Sequence, residues 1–120
     1  MAKKILVVDD EEDLLKLTAF RLKKSGYEVL TAVNGQEALD LIQNDRPDLI
    51  LLDLRIPLIS GYDVCKRVRA DDKLKDTPII LFTASAEGIT DKVNEVGAND
   101  YLTKPFYQEG LLGKVKKLIG

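Results

Sequence analysis

Polar side chains suited to phosphoryl transfer follow four short apolar runs of this sequence. Asp9 and Asp10 follow KILVV, Asp53 follows LILL, Thr83 follows IILF, and Lys104 follows DYLT. Carboxylates bind hard cations such as Mg²⁺, whereas a hydroxyl and an ammonium group can contact phosphoryl oxygens. Phosphoryl transfer asks a protein mainly for positioning and charge neutralisation. These residue types therefore point to that chemistry, provided that the fold brings them together.

The fold must place these residues along one edge, and a parallel sheet does so because the carboxyl ends of its strands share an edge. Apolar runs alternate with amphipathic stretches along the chain. This alternation predicts an α/β fold with a doubly wound, five-stranded parallel sheet covered by helices on both faces. The predicted strands, each followed by a helix, are residues 4–9, 27–32, 48–53, 78–83 and 100–103.

The strand order follows from the burial that each run implies. Residues 4–9, 48–53 and 78–83 contain continuous apolar runs, as strands buried on both faces do. Residues 27–32 and 100–103 alternate, so the second and fifth strands are predicted at the sheet edges. Sequential strands usually pair, which gives the order 2-1-3-4-5. A ligand is expected at its switch point, between strands one and three.

Two helix starts carry recognisable signals. Asn34-Gly35 is compatible with a hairpin turn. Gln36 to Leu39 follow with helical periodicity, and Glu37 lies three residues after Asn34. A helix with Asn34 as N-cap and Glu37 completing a capping box is therefore preferred. Asp10 or Glu11 is predicted to cap the first helix.

Composition excludes several classes of function. The chain has 120 residues, enough for a single domain, and a net charge of −2. A nucleic-acid-binding domain would need a strong basic excess. No apolar run reaches membrane-spanning length, and the N-terminus lacks a signal-peptide core. A single cysteine, Cys65, cannot form an internal disulfide, so we expect a cytoplasmic protein in which Cys65 is a small buried residue.

Histidine is absent from the sequence. This removes Ser-His-Asp and Cys-His triads and most zinc geometries. Any metal must therefore be a hard cation held by oxygen, and any phosphohistidine in the mechanism must belong to a partner protein.

The acidic run from Asp9 to Asp13 would by itself be most simply a helix N-terminus stabilised by negative charge. Asp53, at the end of the adjacent predicted strand, makes a metal site the better interpretation of this acidic run. Two carboxylates at ~4 Å repel each other by about 4 kcal/mol at an effective dielectric of 20. A divalent cation relieves this repulsion, and oxygen ligands with room for water and phosphate favour Mg²⁺.

Four motifs in order, VVDD (Val7 to Asp10), LLDLRIP (Leu51 to Pro57), FTAS (Phe82 to Ser85) and GANDYLTKPF (Gly97 to Phe106), resemble the receiver domains of two-component response regulators. The resemblance spans the whole chain and implies one receiver domain over residues 1–120. It also implies the flavodoxin-like (βα)₅ fold of chemotaxis-regulator-like proteins. A protein of this family is a phosphoacceptor regulator and not an enzyme in the usual sense.

The resemblance further implies a metal site. Asp53 would be the phosphoacceptor, and Asp10 and Asp53 would bind Mg²⁺ directly together with the backbone carbonyl of Arg55. Asp9 would act through a water molecule or by orienting the ligands.

The family likeness also assigns residues that contact the phosphoryl group and transmit its presence. Thr83 and Lys104 would contact the phosphoryl oxygens, assisted by the backbone N–H of Ala84. Thr83 and Tyr101 would form the switch that remodels the face made by helix four, strand five and helix five. Lys104-Pro105 is a candidate cis peptide bond.

Two residues near the predicted site bear on how long the phosphoryl group persists, and two others bear on the docking of a partner. Arg55 and Ser85 offer neither an acid nor an amide to orient attacking water, which predicts a long-lived phosphorylated state. Leu58 and Ile59, beside the site, are candidate contacts for a kinase, although simple packing of the loop explains them equally well.

The implied partners are a sensor histidine kinase or histidine phosphotransfer protein and a downstream effector or output domain. Three alternatives stay open. A flavodoxin-like FMN protein would need a hydroxyl- and glycine-rich loop where this chain has DDEED. A phosphatase of the haloacid dehalogenase type would need a D-x-D motif after its first strand. A degenerate receiver would serve only for protein contact.

Overall fold

Five parallel strands form one sheet in the order β2-β1-β3-β4-β5 in the computed structural model, which describes residues 2–84, 88–104 and 108–120. This confirms the predicted fold class, strand order and edge strands. Each predicted strand matches an observed one to within one residue at one end. The elements are β1 Lys4–Val8, α1 Glu12–Lys24, β2 Glu28–Ala32, α2 Gly35–Asp45, β3 Leu49–Asp53, α3 Gly61–Ala70, β4 Ile79–Thr83, α4 Ile89–Val96, β5 Asp100–Thr103 and α5 Gln108–Ile119.

Side chains of the central strands alternate between two hydrophobic clusters, one on each face of the sheet. In β1, Leu6 and Val8 belong to one cluster, whereas Ile5 and Val7 belong to the other. All five residues of β3 and of β4 are buried. Burial on both faces is the reason that these runs are continuously apolar. None of the helices in the described ranges is long and apolar enough to cross a membrane.

The helix predicted at Asn34 is present, and the hairpin alternative is wrong. Asn34 is the N-cap of α2, and its Oδ1 accepts a hydrogen bond from the Glu37 N–H at 2.8 Å. The Glu37 carboxylate reaches back to the Val33 N–H at 3.2 Å. The first bond satisfies a backbone donor that the first turn of a helix leaves free, and the second satisfies the N–H of Val33, the residue before the N-cap.

Helix α4 is held at its C-terminal end by two side chains of α3. The buried Cys65 thiol donates to the Val96 carbonyl at 3.2 Å, and Arg69 Nε donates to the Gly97 carbonyl at 2.7 Å. The other guanidinium nitrogens of Arg69 bind the carbonyls of Lys75 and Thr77 and the Asn99 side chain. By contrast, α4 starts at a left-handed Gly88 without a side-chain cap bond.

Candidate functional site

Three carboxylates meet where β1 and β3 end. These strands are parallel neighbours, and Val8 lies opposite Leu52. Asp9 follows Val8 and Asp53 follows Leu52, so both aspartates lie at the same edge of the sheet. Together with Asp10, they offer carboxylate oxygens that all lie within 4.8 Å of one another. The predicted convergence of acidic residues at the switch point of the sheet is thus observed.

The two inner carboxylates are buried and oriented by backbone donors. Asp9 is 1% and Asp53 is 5% exposed, whereas Asp10 is exposed to solvent. The Glu11 N–H donates to Asp9 Oδ1 at 3.0 Å, and the Arg55 N–H donates to Asp53 Oδ1 at 3.1 Å. Burial raises the pKa of Asp9 above its ordinary value, outweighing the Glu11 N–H and the Lys104 ammonium, which lower it.

Lys104 brings the single ammonium group that faces this cluster within the described part of the chain. Its Nζ lies 2.8 Å from Asp53 Oδ2, 3.1 Å from Asp9 Oδ2 and 3.3 Å from Glu11 Oε1. Burial alone would lower the pKa of Lys104, but its hydrogen bonds and ion pairs with Asp53 and Asp9 raise it well above the usual range. Lys104 is therefore charged, yet one positive charge stands against several carboxylates.

Thr83 lies between the acidic cluster and Lys104 along the edge of the sheet. It is the last residue of β4 and is 6% exposed. The preceding Phe82 pairs with Asp53, and Thr83 itself pairs with Thr103, one residue before Lys104. The Lys104 N–H also donates to the Thr83 carbonyl at 2.8 Å. Ala84 follows directly, whereas Ser85 and Pro105 lie outside the described residues.

Tyr101 lies on β5 and is partly buried against the hydrophobic cluster that includes residues of α2, α3 and α4. Lys114 of α5 holds its Nζ 5.7 Å from the centre of the Tyr101 ring and 2.8 Å from Asp100 Oδ1. A cation over an aromatic face is attracted to it. The predicted switch residue is therefore tied to both β5 and α5.

The loop between β3 and α3 requires glycine where it passes close to Asp53. A Cβ on Gly61 would overlap the Asp53 carbonyl oxygen and lie 2.8 Å from Leu54 Cα. In the same loop Leu58 is 79% exposed with φ of 70°, whereas Ile59 packs on the core. Packing thus accounts for Ile59, and Leu58 stays a candidate docking residue.

The donor set fits a hard divalent cation. Asp9, Asp10 and Asp53 supply oxygen ligands only, which Mg²⁺ prefers. Asp53 Oδ1 is already directed by the Arg55 N–H. Because burial disfavours the charged form of Asp9 and raises its pKa, an added positive charge would relieve the cluster.

The contact between Glu11 and Lys104 is not indicated by the sequence. Glu11 is the N-cap of α1, as one of the two predicted positions, but its side chain makes no capping bond. It turns instead to Lys104, which lies 93 residues away in the chain. No local pattern could have indicated this, since the contact depends on where β5 ends.

Comparison with known proteins now decides the family. The model of the response regulator receiver domain matches residues 5–116. The chain belongs to this family of receiver domains. It is therefore the receiver of a two-component system, the class of domain that accepts a phosphoryl group in signal transduction.

This receiver domain is similar to curated proteins and to solved structures. It is 45% identical over 121 residues to the alkaline phosphatase synthesis transcriptional regulatory protein PhoP of Bacillus subtilis (strain 168). That match covers 99% of this chain and 49% of PhoP, so the chain spans about half the length of this curated relative. Among solved structures, a putative response regulator from Chloroflexus aurantiacus has a TM-score of 0.94 at 38% identity, with 98% of each chain covered.

A third relative is the receiver domain of the sensor histidine kinase PA1611 from Pseudomonas aeruginosa PAO1. It has a TM-score of 0.91 at 31% identity, and the match covers 100% of this chain and 99% of that one. Its crystal structure holds a magnesium ion coordinated in the active site cleft.

Proposed function

We propose that Asp53 is the phosphoacceptor of this receiver domain and takes its phosphoryl group from a phosphohistidine of a partner protein. The observation that carries this proposal is that the Asp53 carboxylate lies beside the acidic pair Asp9 and Asp10 and contacts the Lys104 ammonium group. Its Oδ1 accepts from the Arg55 N–H at 3.1 Å, and its Oδ2 accepts from Lys104 at 2.8 Å. In the transfer, a carboxylate oxygen of Asp53 bonds to phosphorus while the phosphorus–nitrogen bond breaks and leaves its electron pair on the imidazole.

Asp10, Asp53 and the backbone carbonyl of Arg55 would hold Mg²⁺, with Asp9 acting through water or by orienting the ligands. The ion supplies charge neutralisation of the phosphoryl oxygens when bound. Support comes from the three oxygen donors within 4.8 Å and from the magnesium-bound Pseudomonas relative.

Lys104 and Thr83 would contact the phosphoryl group, and the Ala84 N–H would assist them. An ammonium group neutralises a phosphoryl oxygen as a point charge, and a hydroxyl donates to one. Partly buried Lys104 is suited to this because its ammonium group, charged at physiological pH, already lies 2.8 Å from Asp53 Oδ2.

The readout would pass through Thr83 and Tyr101 to the face formed by α4, β5 and α5. A phosphoryl group can bias two conformations only by binding one of them better. Within this face, Lys114 bridges Asp100 and the Tyr101 ring. This face would meet the downstream effector or output domain, whereas a histidine kinase or phosphotransfer protein would meet the rim of the site. Residues 1–120 would form one receiver domain.

Intact-protein mass spectrometry after incubation with acetyl phosphate tests this proposal. The wild-type chain is expected to gain the mass of one phosphoryl group when Mg²⁺ is present, and not when the ion is chelated. Asp53→Ala is expected to remain unlabelled, whereas Asp63→Ala, which removes an exposed aspartate of α3, should label like wild type. Labelling of Asp53→Ala at the wild-type level would contradict the assignment.

A further inference from the structure

Glu11 turns its side chain away from the helix that it starts. It is the N-cap residue of α1, yet the first turn receives no side-chain bond from it. Its carboxylate lies instead 3.3 Å from Lys104 Nζ, and the Glu11 side chain is 66% exposed at the mouth of the site. Glutamate is not among the side chains that favour the N-cap position, and the contact that Glu11 makes is with Lys104.

All three protons of the Lys104 ammonium have a carboxylate to receive them. Asp53 lies at 2.8 Å, Asp9 at 3.1 Å and Glu11 at 3.3 Å. An ammonium group has three donors and no more. Among these three acceptors, Glu11 differs from the others because it is neither the proposed phosphoacceptor nor a proposed partner of the metal.

We propose that Glu11 is a positioning residue that holds Lys104 in the unphosphorylated state and competes with the phosphoryl group for it. This inference rests on the proposed phosphorylation of Asp53. For Lys104 to contact a phosphoryl oxygen, its Nζ must redirect donors that now point at carboxylates. Asp53 and Asp9 are engaged by phosphorylation and by the metal, so Glu11 is the acceptor that continues to draw Lys104 towards the α1 side.

The charge of Glu11 acts on the two ligands of the site in opposite directions. A carboxylate beside the acidic cluster attracts a dication, and the same carboxylate repels a phosphoryl group. Removal of the charge should therefore weaken Mg²⁺ binding and strengthen binding of a phosphoryl analogue. Glu11 is exposed, so solvent screening keeps each effect to about two- to fivefold. A merely structural role in starting α1 would change both affinities in the same direction or leave both unchanged.

The experiment compares Glu11→Gln, Glu11→Asp and Glu12→Gln. Glu12 is the matched control because it is the next acidic residue and lines a groove that also includes Phe20 and Val33. The Mg²⁺ dissociation constant is measured from amide chemical shifts without any phosphodonor, and that of beryllofluoride is then measured at saturating Mg²⁺. The Lys104 Cε and Nζ shifts are followed in the same titrations.

Glu11→Gln is expected to bind Mg²⁺ about two- to fivefold more weakly and beryllofluoride more tightly by a similar factor. Glu11→Asp keeps the charge but is one methylene too short for Lys104, so Mg²⁺ affinity should stay near wild type while beryllofluoride binds more tightly. Glu12→Gln should match wild type in both titrations.

Equal affinities in Glu11→Gln and wild type, or changes of the same sign, would overturn the inference while leaving Asp53 as phosphoacceptor. If the wild-type chain bound neither Mg²⁺ nor beryllofluoride, the proposed function and this inference would both be wrong.

Discussion

Lys104 Nζ lies 2.8 Å from Asp53 Oδ2, joining the end of β5 to the end of β3 across 51 residues of sequence. Lys104 thus occupies the place where positive charge is needed before any ligand arrives. It neutralises part of the acidic cluster, and it would be available to a phosphoryl group once a dication takes over that task. The same side chain would therefore serve the resting and the phosphorylated state.

Replacement of Lys104 by methionine separates these two tasks. Because the ammonium competes with a dication for the same carboxylates, Lys104→Met should bind Mg²⁺ more tightly than wild type. Loss of the phosphoryl contact should slow labelling by acetyl phosphate roughly 10- to 100-fold. Titration calorimetry and mass spectrometry check the two effects, with Lys116→Met on the exposed side of α5 as control. Unchanged labelling would remove Lys104 from the site chemistry.

Replacement of Asp9 by asparagine should stabilise the metal-free protein at neutral pH. Burial raises the pKa of Asp9, so the charged form is less favourable in the folded than in the unfolded chain. The stability that protonated Asp9 contributes is present at acid pH and is lost as the pH rises through the folded pKa. The midpoint of thermal unfolding of Asp9→Asn should therefore rise by roughly 3–6 °C at pH 7.

That gain should shrink at acid pH, where Asp9 of the wild type is protonated. Added Mg²⁺ should also reduce it, because the ion stabilises the wild type more than the variant. Scanning calorimetry at both pH values, with and without the ion, is the measurement. A variant less stable than wild type at pH 7 would show that the Lys104 pair outweighs burial.

Replacement of Arg69 by alanine should weaken the contacts between α3 and the C-terminal end of α4. The guanidinium group donates four hydrogen bonds, and removal leaves the Gly97, Thr77 and Lys75 carbonyls and the Asn99 side chain without that donor. We expect a loss of about 2–4 kcal/mol in the free energy of unfolding. Urea denaturation measures it, and Arg67→Ala on the exposed face of α3 is the control. Equal stability of the two variants would refute the anchoring role.

Gly61→Ala should disturb the loop that carries the phosphoacceptor. The added Cβ meets the Asp53 carbonyl oxygen and lies 2.8 Å from Leu54 Cα, both backbone atoms that cannot swing away. We expect destabilisation by about 1–3 kcal/mol and slower labelling. Gly110→Ala is the matched control, since a Cβ there has no neighbour within 4 Å and should stabilise α5 by ~0.5–1 kcal/mol. Equal effects of the two substitutions would contradict the close approach.

The sheet was predictable because buried strands appear in the sequence as continuous apolar runs. A strand covered on both faces is apolar along its buried run, and β3 and β4 are apolar up to their last residues, Asp53 and Thr83. The strand ends then followed from polar residues at the ends of those runs, which is how Asp53, Thr83 and Lys104 could be placed at one edge without coordinates.

The contacts of long side chains were not predictable in the same way. Glu11 meets Lys104 across 93 residues, and Arg69 meets Asn99 across 30. Such contacts depend on the rotamers of flexible side chains and on distant elements, which no local period records. The N-cap predicted at Glu11 was thus right in position, yet the Glu11 carboxylate contacts Lys104, which follows β5.

A crystal structure of this chain with Mg²⁺ and beryllofluoride tests the central claim most directly. We expect beryllofluoride on a carboxylate oxygen of Asp53 and a metal ion bound by Asp10, Asp53 and the Arg55 carbonyl. We also expect Lys104 Nζ to move from Glu11 to a fluoride. An adduct on another residue, or carboxylates of Asp10 and Asp53 with no ion between them, would contradict it.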